Sequence, residues 1–421
     1  MNKTIIKKLY TDGEISLETE VSIEFRIKDS SFCPGTVRIH LPAPLNASWL
    51  LEGRLIDSDP FFRMMSVEDY PQRSAYFNEI LTENKTFSIG YGFTSVHKYI
   101  KPDISLIDSV SQKTFDPADI KRFLELSHCG CESYTALAPD AVTIKDVASS
   151  EGLPFRDEHY SFLSEHGIPV PAHAACSSGQ SFTPDAITKN SAAVDHATFS
   201  LNPVKSNTIT ENPTTMNKGT LARRLFDLII EEYTPCANET LSMAYVSICR
   251  MCGIPARWQG GYASADVIYP VSGSNIDENI HGSSIYSPGF ETDKITSDNN
   301  NNIYTGIAHD WCLIHLLPYG WIYADPGYAR DFKDEFITDI DHAKKDFKDY
   351  FFGNIDPFMV PTATEPSANL YPAKDYERTD KIFNVRGEAE LIPGKMNGTG
   401  HFDGRGLTAD EFETTVRLRF V

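Results

Sequence analysis

Over the first hundred residues apolar and polar positions alternate. In LETEVSIEFRI, Val21, Ile23, Phe25 and Ile27 are spaced by polar residues, and in KTFSIGYGF so are Phe87, Ile89, Tyr91 and Phe93. A period of two marks strands with one face buried. PGTVRIHLPAP adds a candidate strand between prolines. Short strands separated by turn residues predict a β-sandwich-like N-terminal domain over 1–105.

From about Asp116 the period changes. DPADIKRFLEL opens with aspartate and proline ahead of an apolar-periodic run, a helix start, within a connection over 106–215. The stretch from roughly Glu151 to Thr215 is rich in Ser, Pro, Ala, Thr and Asn and shows little periodicity. It reads as an irregular insertion without assigned structure. Thr220 is the expected cap of a helix over LARRLFDLIIEEY, with Leu221, Leu225, Leu228 and Ile229 on one face. A second helix is expected from Cys236 to Cys252, with Leu241, Tyr245, Ile248 and Cys252 on one side and Gly253 and Pro255 ending it.

ARWQGGYASADVIYP then reads as a strand, and the polar run TSDNNNN as a loop. HDWCLIHLLPYGWIYADP reads as a hairpin turning at Pro318-Tyr319-Gly320. Alternation returns in KIFNVRGEAEL and at Thr414, Val416, Leu418 and Phe420. The expected class is α+β, with a core over 216–365 and a C-terminal β segment over 366–421.

Composition narrows the function. The 421 residues carry a formal charge of −20. That argues against nucleic acid, whose phosphates demand a basic face, and against anionic membrane. No apolar run is long enough for a spanning helix. MNKTIIKKLYTDGE turns polar too early for a secretory signal, so a cytoplasmic protein is expected. Eight cysteines scattered through a chain of this size make no disulfide framework. Cys249-Arg-Met-Cys252 has redox or zinc spacing but lies inside an apolar-periodic helix, which favours buried structural thiols. His128-Cys129-Gly130-Cys131 lacks a second pair at ligand spacing. No metal or organic cofactor is expected.

Two stretches carry candidate chemistry. CANETLSMAYVSICRMCGIPARWQGGY begins at Cys236, and the hairpin sequence brings His309 and Asp325 to neighbouring strands. Cysteine acyl transfer needs a thiolate favoured by a helix N-terminus, a histidine to carry its proton and a carboxylate to orient that ring. The hairpin turn is expected to set His309 and Asp325 side by side.

GIPARWQGGY after an apolar helix, then HDW, then PYGWIYADP, resembles the transglutaminase-like superfamily. YFFGNIDP at 350–357 is similar to a tail motif of its bacterial members. The resemblance runs from Leu221 to about Pro357. It implies a papain-like core, a helix packed on an antiparallel sheet, acting on peptide or glutaminyl amides. By the same resemblance His309 is the acid–base histidine, Asp325 its orienter and Trp311 a wall of the site. The family's cysteine falls twelve residues before the arginine matched by Arg250, a count that lands on Asn238. The lead from Tyr233 is also shorter than the glycine-bearing loop of relatives.

Asparagine caps helices well and cannot accept an acyl group at neutral pH. Cys236 is the nearby thiol, but two residues on a helix amount to roughly 200° of rotation, so it reaches the site only from an unwound turn. Two readings therefore stand: an impaired cysteine enzyme, or a pseudoenzyme that binds peptides or proteins without turnover. His315, Tyr319 and Trp321 read as packing residues, and Asp310 as a solvent-side strand residue.

Overall fold

The computed structural model describes residues 12–45, 50–65, 73–104, 107, 157–168, 217–235, 239–264, 303–331, 350–364, 387–393 and 405–420. Their strands are β1 (Glu14–Ile27), β2 (Gly35–Pro42), β3 (Leu50–Asp59), β4 (Met64–Met65), β5 (Ser74–Leu81) and β6 (Thr86–Lys98), then β7 (Ala256–Ser264), β8 (Ile303–Leu316) and β9 (Gly320–Ala324). β10 (Phe352–Gly353), β11 (Val360–Ala363), β12 (Glu388–Pro393), β13 (Arg405–Gly406) and β14 (Phe412–Phe420) follow. The helices are α1 (Asp157–Glu165), α2 (Lys218–Glu231), α3 (Leu241–Met251) and α4 (Pro326–Asp331). The class is α+β, as the changing periodicity predicts.

The alternating N-terminal sequences are strands. β1 pairs antiparallel with β6 along its length, Val21 opposite Tyr91 and Phe25 opposite Phe87. Val21, Ile23, Phe25 and Ile27 point into a core shared with Val37, Ile39 and Leu41 of β2. β2 belongs to a second sheet, ordered β13-β12-β2-β5-β4. Phe77 of that sheet meets Phe87 edge-on at 5.6 Å, so the two sheets bury their apolar faces against each other.

β14 continues the first sheet. It pairs with β1 on one side and with the first residues of β8 on the other. Further along, β8 pairs with β7 and β9. The C-terminal strand thus joins the N-terminal strands to the sheet that carries HDW. The tail motif makes a second tie: Asn354 exchanges two hydrogen bonds with the backbone of Ile100, at 2.7 and 2.8 Å.

Two helix starts differ from expectation. Asn217, not Thr220, caps α2, its side chain accepting from the Thr220 N–H at 2.7 Å. The early start is fixed by tertiary packing: a Cβ on Gly219 would lie 2.5 Å from Ile107, so glycine brings the first turn against that residue. The buried face of α2 is Ala222, Leu225, Phe226, Ile229 and Ile230. α3 begins at Leu241 with Thr240 as its cap, later than the predicted start at Cys236. It ends as expected, with Gly253 at φ +73°. Nearly every residue of α3 is buried, because α2 and the sheet enclose it. Tyr245 donates to the Ala222 carbonyl at 2.9 Å, and Arg330 of α4 donates to carbonyls of Ile229, Ile230 and Tyr233 at the C-terminal end of α2.

Helix α1 lies within the insertion for which the sequence assigned no structure. DPADIKRFLEL, TSDNNNN, His128, Cys129 and Cys131 fall outside the described residues, as do the continuation of the β7 sequence past Ser264 and the KIFNVR run. No helix among the described residues is long and apolar enough to cross a membrane.

Candidate active site

β8 passes through the middle of the core, with β7 beside Gly306–Ile314 and β9 beside Cys312–Leu316. His309 lies opposite Gly261 of β7. Gly261 is there for space: a Cβ would lie 1.9 Å from the Val360 carbonyl oxygen of β11. His309 is 1% exposed.

Asp325 follows β9 directly, at the start of α4. Its Oδ2 accepts from His309 Nε2 at 2.8 Å and its Oδ1 from the Tyr328 N–H at 2.9 Å. Its own N–H donates to Phe351 O at 3.0 Å, so the tail motif also holds it. The hairpin pairing is offset from the simple expectation. Cys312 faces Ala324, so continuing that register puts Asp325 across from Trp311 rather than His309. The two side chains meet because the chain turns into α4 at Asp325.

A carboxylate only accepts, so the proton of this bond resides on Nε2. Nδ1 is then the ring's lone-pair nitrogen. It is buried and has no hydrogen-bond partner among the described residues. The ring stacks on Tyr328, centroids 3.8 Å apart, and lies 6.2 Å from Trp311. Trp311 is fully buried and donates Nε1–H to Gln259 Oε1 at 2.8 Å. Burial alone would lower the His309 pKa, but the charge of Asp325 and the bond to it outweigh burial, and the net shift is upward.

Asp310 is not a solvent-side residue. It is 1% exposed, and its Oδ2 accepts from Trp258 Nε1 at 2.6 Å and from the Thr240 hydroxyl. Thr240 Oγ1 in turn accepts from Met243 N–H at 3.1 Å, and Ser242 Oγ donates to Asp310 O at 3.1 Å. β8 is covered on both faces, which breaks the inside–outside alternation behind the prediction. Burial raises the Asp310 pKa to about 6, against the opposing pull of His309, Thr240 and Trp258. The consequence is positional: the first turn of α3 is fastened to the residue next to His309.

Cys236 and Asn238 lie outside the described residues, so the two candidates for the nucleophile position have no described geometry. Asn238 is not the cap of α3, a role that Thr240 fills. His315 meets Trp321 edge-on at 5.2 Å as a packing residue. The Tyr319 hydroxyl accepts from the Asp103 N–H at 2.8 Å. Asp356 of the tail motif was not singled out from sequence. Burial raises its pKa to about 7, although the Phe358 N–H and His309 both favour its charge. Gln259 and Tyr328 were missed too; both support aromatic or imidazole rings and carry no motif of their own.

The family model described as transglutaminase-like superfamily matches residues 205–326, a span holding α2, α3, β7, β8, β9 and the first residue of α4. The transglutaminase-like core read from GIPARWQGGY, HDW and PYGWIYADP is thereby borne out. Among solved structures, a "putative cysteine protease" from Cytophaga hutchinsonii is similar at 13% identity, with 97% of this chain and 100% of that chain covered and a TM-score of 0.37. No curated protein matches the chain.

Proposed function

We propose, from the transglutaminase-like core as premise, that this protein is of the cysteine-dependent amide hydrolase and acyltransferase class, impaired because Asn238 stands at the nucleophile position. The observation that carries the reading is the buried His309–Asp325 pair, with Nδ1 of His309 unpartnered among the described residues. A thiol at the start of α3 would give its proton to Nδ1, and the thiolate would attack the carbonyl of a peptide or glutaminyl amide. The protonated ring would then hand that proton to the leaving amine, giving a thioester that water or an amine resolves. Asp325 would hold the ring in the useful tautomer and stabilise its charged form.

Asn238 cannot form the thioester. Loss of a nucleophile ordinarily removes roughly 10⁴–10⁶ in rate, so the unaltered protein should turn over amides negligibly. It would still hold a carbonyl-bearing peptide or protein ligand. The test is Asn238→Cys, followed by site-resolved labelling with iodoacetamide at pH 6–7. The introduced thiol should label faster than the native cysteines, and His309→Ala should remove the advantage. Labelling indifferent to His309 would reject the site. Robust amide turnover by the unaltered protein, abolished by Cys236→Ser, would instead make Cys236 the nucleophile.

A further inference from the structure

The entrance to α3 is gripped on a second side. Glu239, the residue after position 238, meets His159 Nε2 with Oε1 at 2.7 Å, and its Oε2 accepts the Tyr233 hydroxyl at 2.8 Å. The side chains of His159 and Glu239 are 0% and 4% exposed. Tyr233 packs edge-on against Phe162 of α1 at 5.1 Å. Both oxygens of Glu239 are therefore engaged, one by α1 and one by the chain leaving α2.

We infer that His159, acting through Glu239, is a positioning residue for the site: it fixes the residue that follows position 238 at the entrance to α3, beside Thr240 and its tie to Asp310. The inference rests on the acyl-transfer reading above. Helix starts lack intrahelical acceptors for their first N–H groups and fray easily. Here two consecutive residues are held from different elements, Thr240 by Asp310 on the sheet and Glu239 by His159 and Tyr233. One hold comes from the sheet and the other from α1 and the chain leaving α2, so together they restrain the entrance to α3 from two sides. Small misplacements of a nucleophile cost orders of magnitude in rate, which is where such a clamp has its effect. Hydrogen bonds to a buried carboxylate are the stronger kind, suited to the task. The insertion thereby contributes a residue to the site through α1.

The test uses the full chain carrying Asn238→Cys. Iodoacetamide labelling of the introduced thiol is compared with His159→Phe, His159→Gln and Tyr233→Phe, each with and without His309→Ala. Hydrogen exchange at 239–243 is followed with the same His159 and Tyr233 substitutions in the otherwise unaltered protein. His159→Phe should cut the His309-dependent labelling by about tenfold or more. His159→Gln, which keeps a donor toward Glu239, should recover most of it, a rescue that loss of packing alone would not give. Exchange at 239–243 should quicken while that at 248–251 stays unchanged. His309-dependent labelling that ignores His159→Phe, or unchanged exchange at 239–243, overturns the inference and leaves the site reading standing. Labelling indifferent to His309 in every background overturns the site reading and the positioning role together. Should His159→Phe fail to fold, Tyr233→Phe removes a single hydroxyl, and no loss of His309-dependent labelling with it overturns the inference.

Discussion

At its C-terminal end α3 carries two thiols in redox spacing, Cys249 and Cys252, whereas its N-terminal end gathers Glu239, Thr240, Ser242 and, from β8, Asp310. The thiol-bearing end is the unreactive one. Apolar burial raises Cys249 well above its ordinary pKa and pushes Cys252 up to about 12. The negative pole of the helix lies there as well and further disfavours a thiolate. At the other end the positive pole of the helix and a protonated His309 would favour a thiolate, while the carboxylates of Glu239 and Asp310 would oppose it. The thiols of α3 thus lie at the end whose surroundings keep them protonated.

The largest expected effect is in labelling. With a pKa of about 12, the Cys252 thiolate fraction at pH 7 is lower than that of an ordinary cysteine by about 10³. Cys249, Cys252 and Cys312 should therefore stay unmodified by iodoacetamide while a free peptide cysteine is consumed, and denaturant should release all three. Site-resolved mass spectrometry checks this. Rapid labelling of Cys252 in the native protein would erase the contrast between the helix ends.

The next effect is on stability as a function of pH, and it comes from the polar end. Burial raises Asp310 from 3.8 to about 6 and Asp356 from 3.8 to about 7. Between about pH 4 and pH 7 the folded protein thus binds more protons than the unfolded chain, and stability falls as pH rises. His309 adds in the same direction: its folded pKa is raised, so its contribution is full below the unfolded value and lost as pH rises through the folded one. At roughly 1.4 kcal/mol per pH unit for each excess proton, the loss between pH 5 and pH 8 amounts to a few kcal/mol. The urea midpoint should be higher at pH 5 than at pH 8, and Asp356→Asn should flatten the difference. An equal slope with and without Asp356→Asn would show that this carboxyl is not buried as described. The thiols of the apolar end contribute nothing here, since they remain protonated in both states through this range.

The sequence made the site's hairpin legible because period-two patterning, a turn at Pro318–Gly320 and the HDW residues coincide there. That brings His309 and Asp325 to one hairpin, but the register sets Asp325 across from Trp311, and the two side chains meet because the chain turns into α4. Asp310 could not be placed, because alternation says only that it faces away from His309, and the cover on that second face comes from α3. The role of β14 was equally hidden: its alternation was plain, but its pairing with both β1 and β8 joins segments hundreds of positions apart. His159 sits in a helix too short to stand out from its Ser- and Pro-rich surroundings. Its partner Glu239 lies 80 positions away, and no local pattern announces such a bond. Caps were misplaced by two or three residues, since Asn217 and Thr220, or Asn238 and Thr240, are equally good by type. Packing chose between them.

The smallest effect separates the two ends of α3 by truncation. Asp310→Ala leaves the Trp258 indole N–H and the Thr240 hydroxyl without their shared acceptor in a buried place. A buried donor stranded in this way costs about 1–3 kcal/mol, read as a lower urea midpoint. Cys249→Ala at the apolar end removes one small, unionised group and should cost about 1 kcal/mol, near the ordinary value for a point mutation. The two differ more in kind than in size. In the Asn238→Cys background Asp310→Ala should also weaken His309-dependent labelling, because it frees Thr240 and with it the first turn of α3. Cys249→Ala should leave that labelling unchanged even where it lowers the midpoint. If both substitutions reduce labelling in proportion to the stability they remove, the N-terminal end of α3 has no special hold on the site, and Asp310 is only another buried residue.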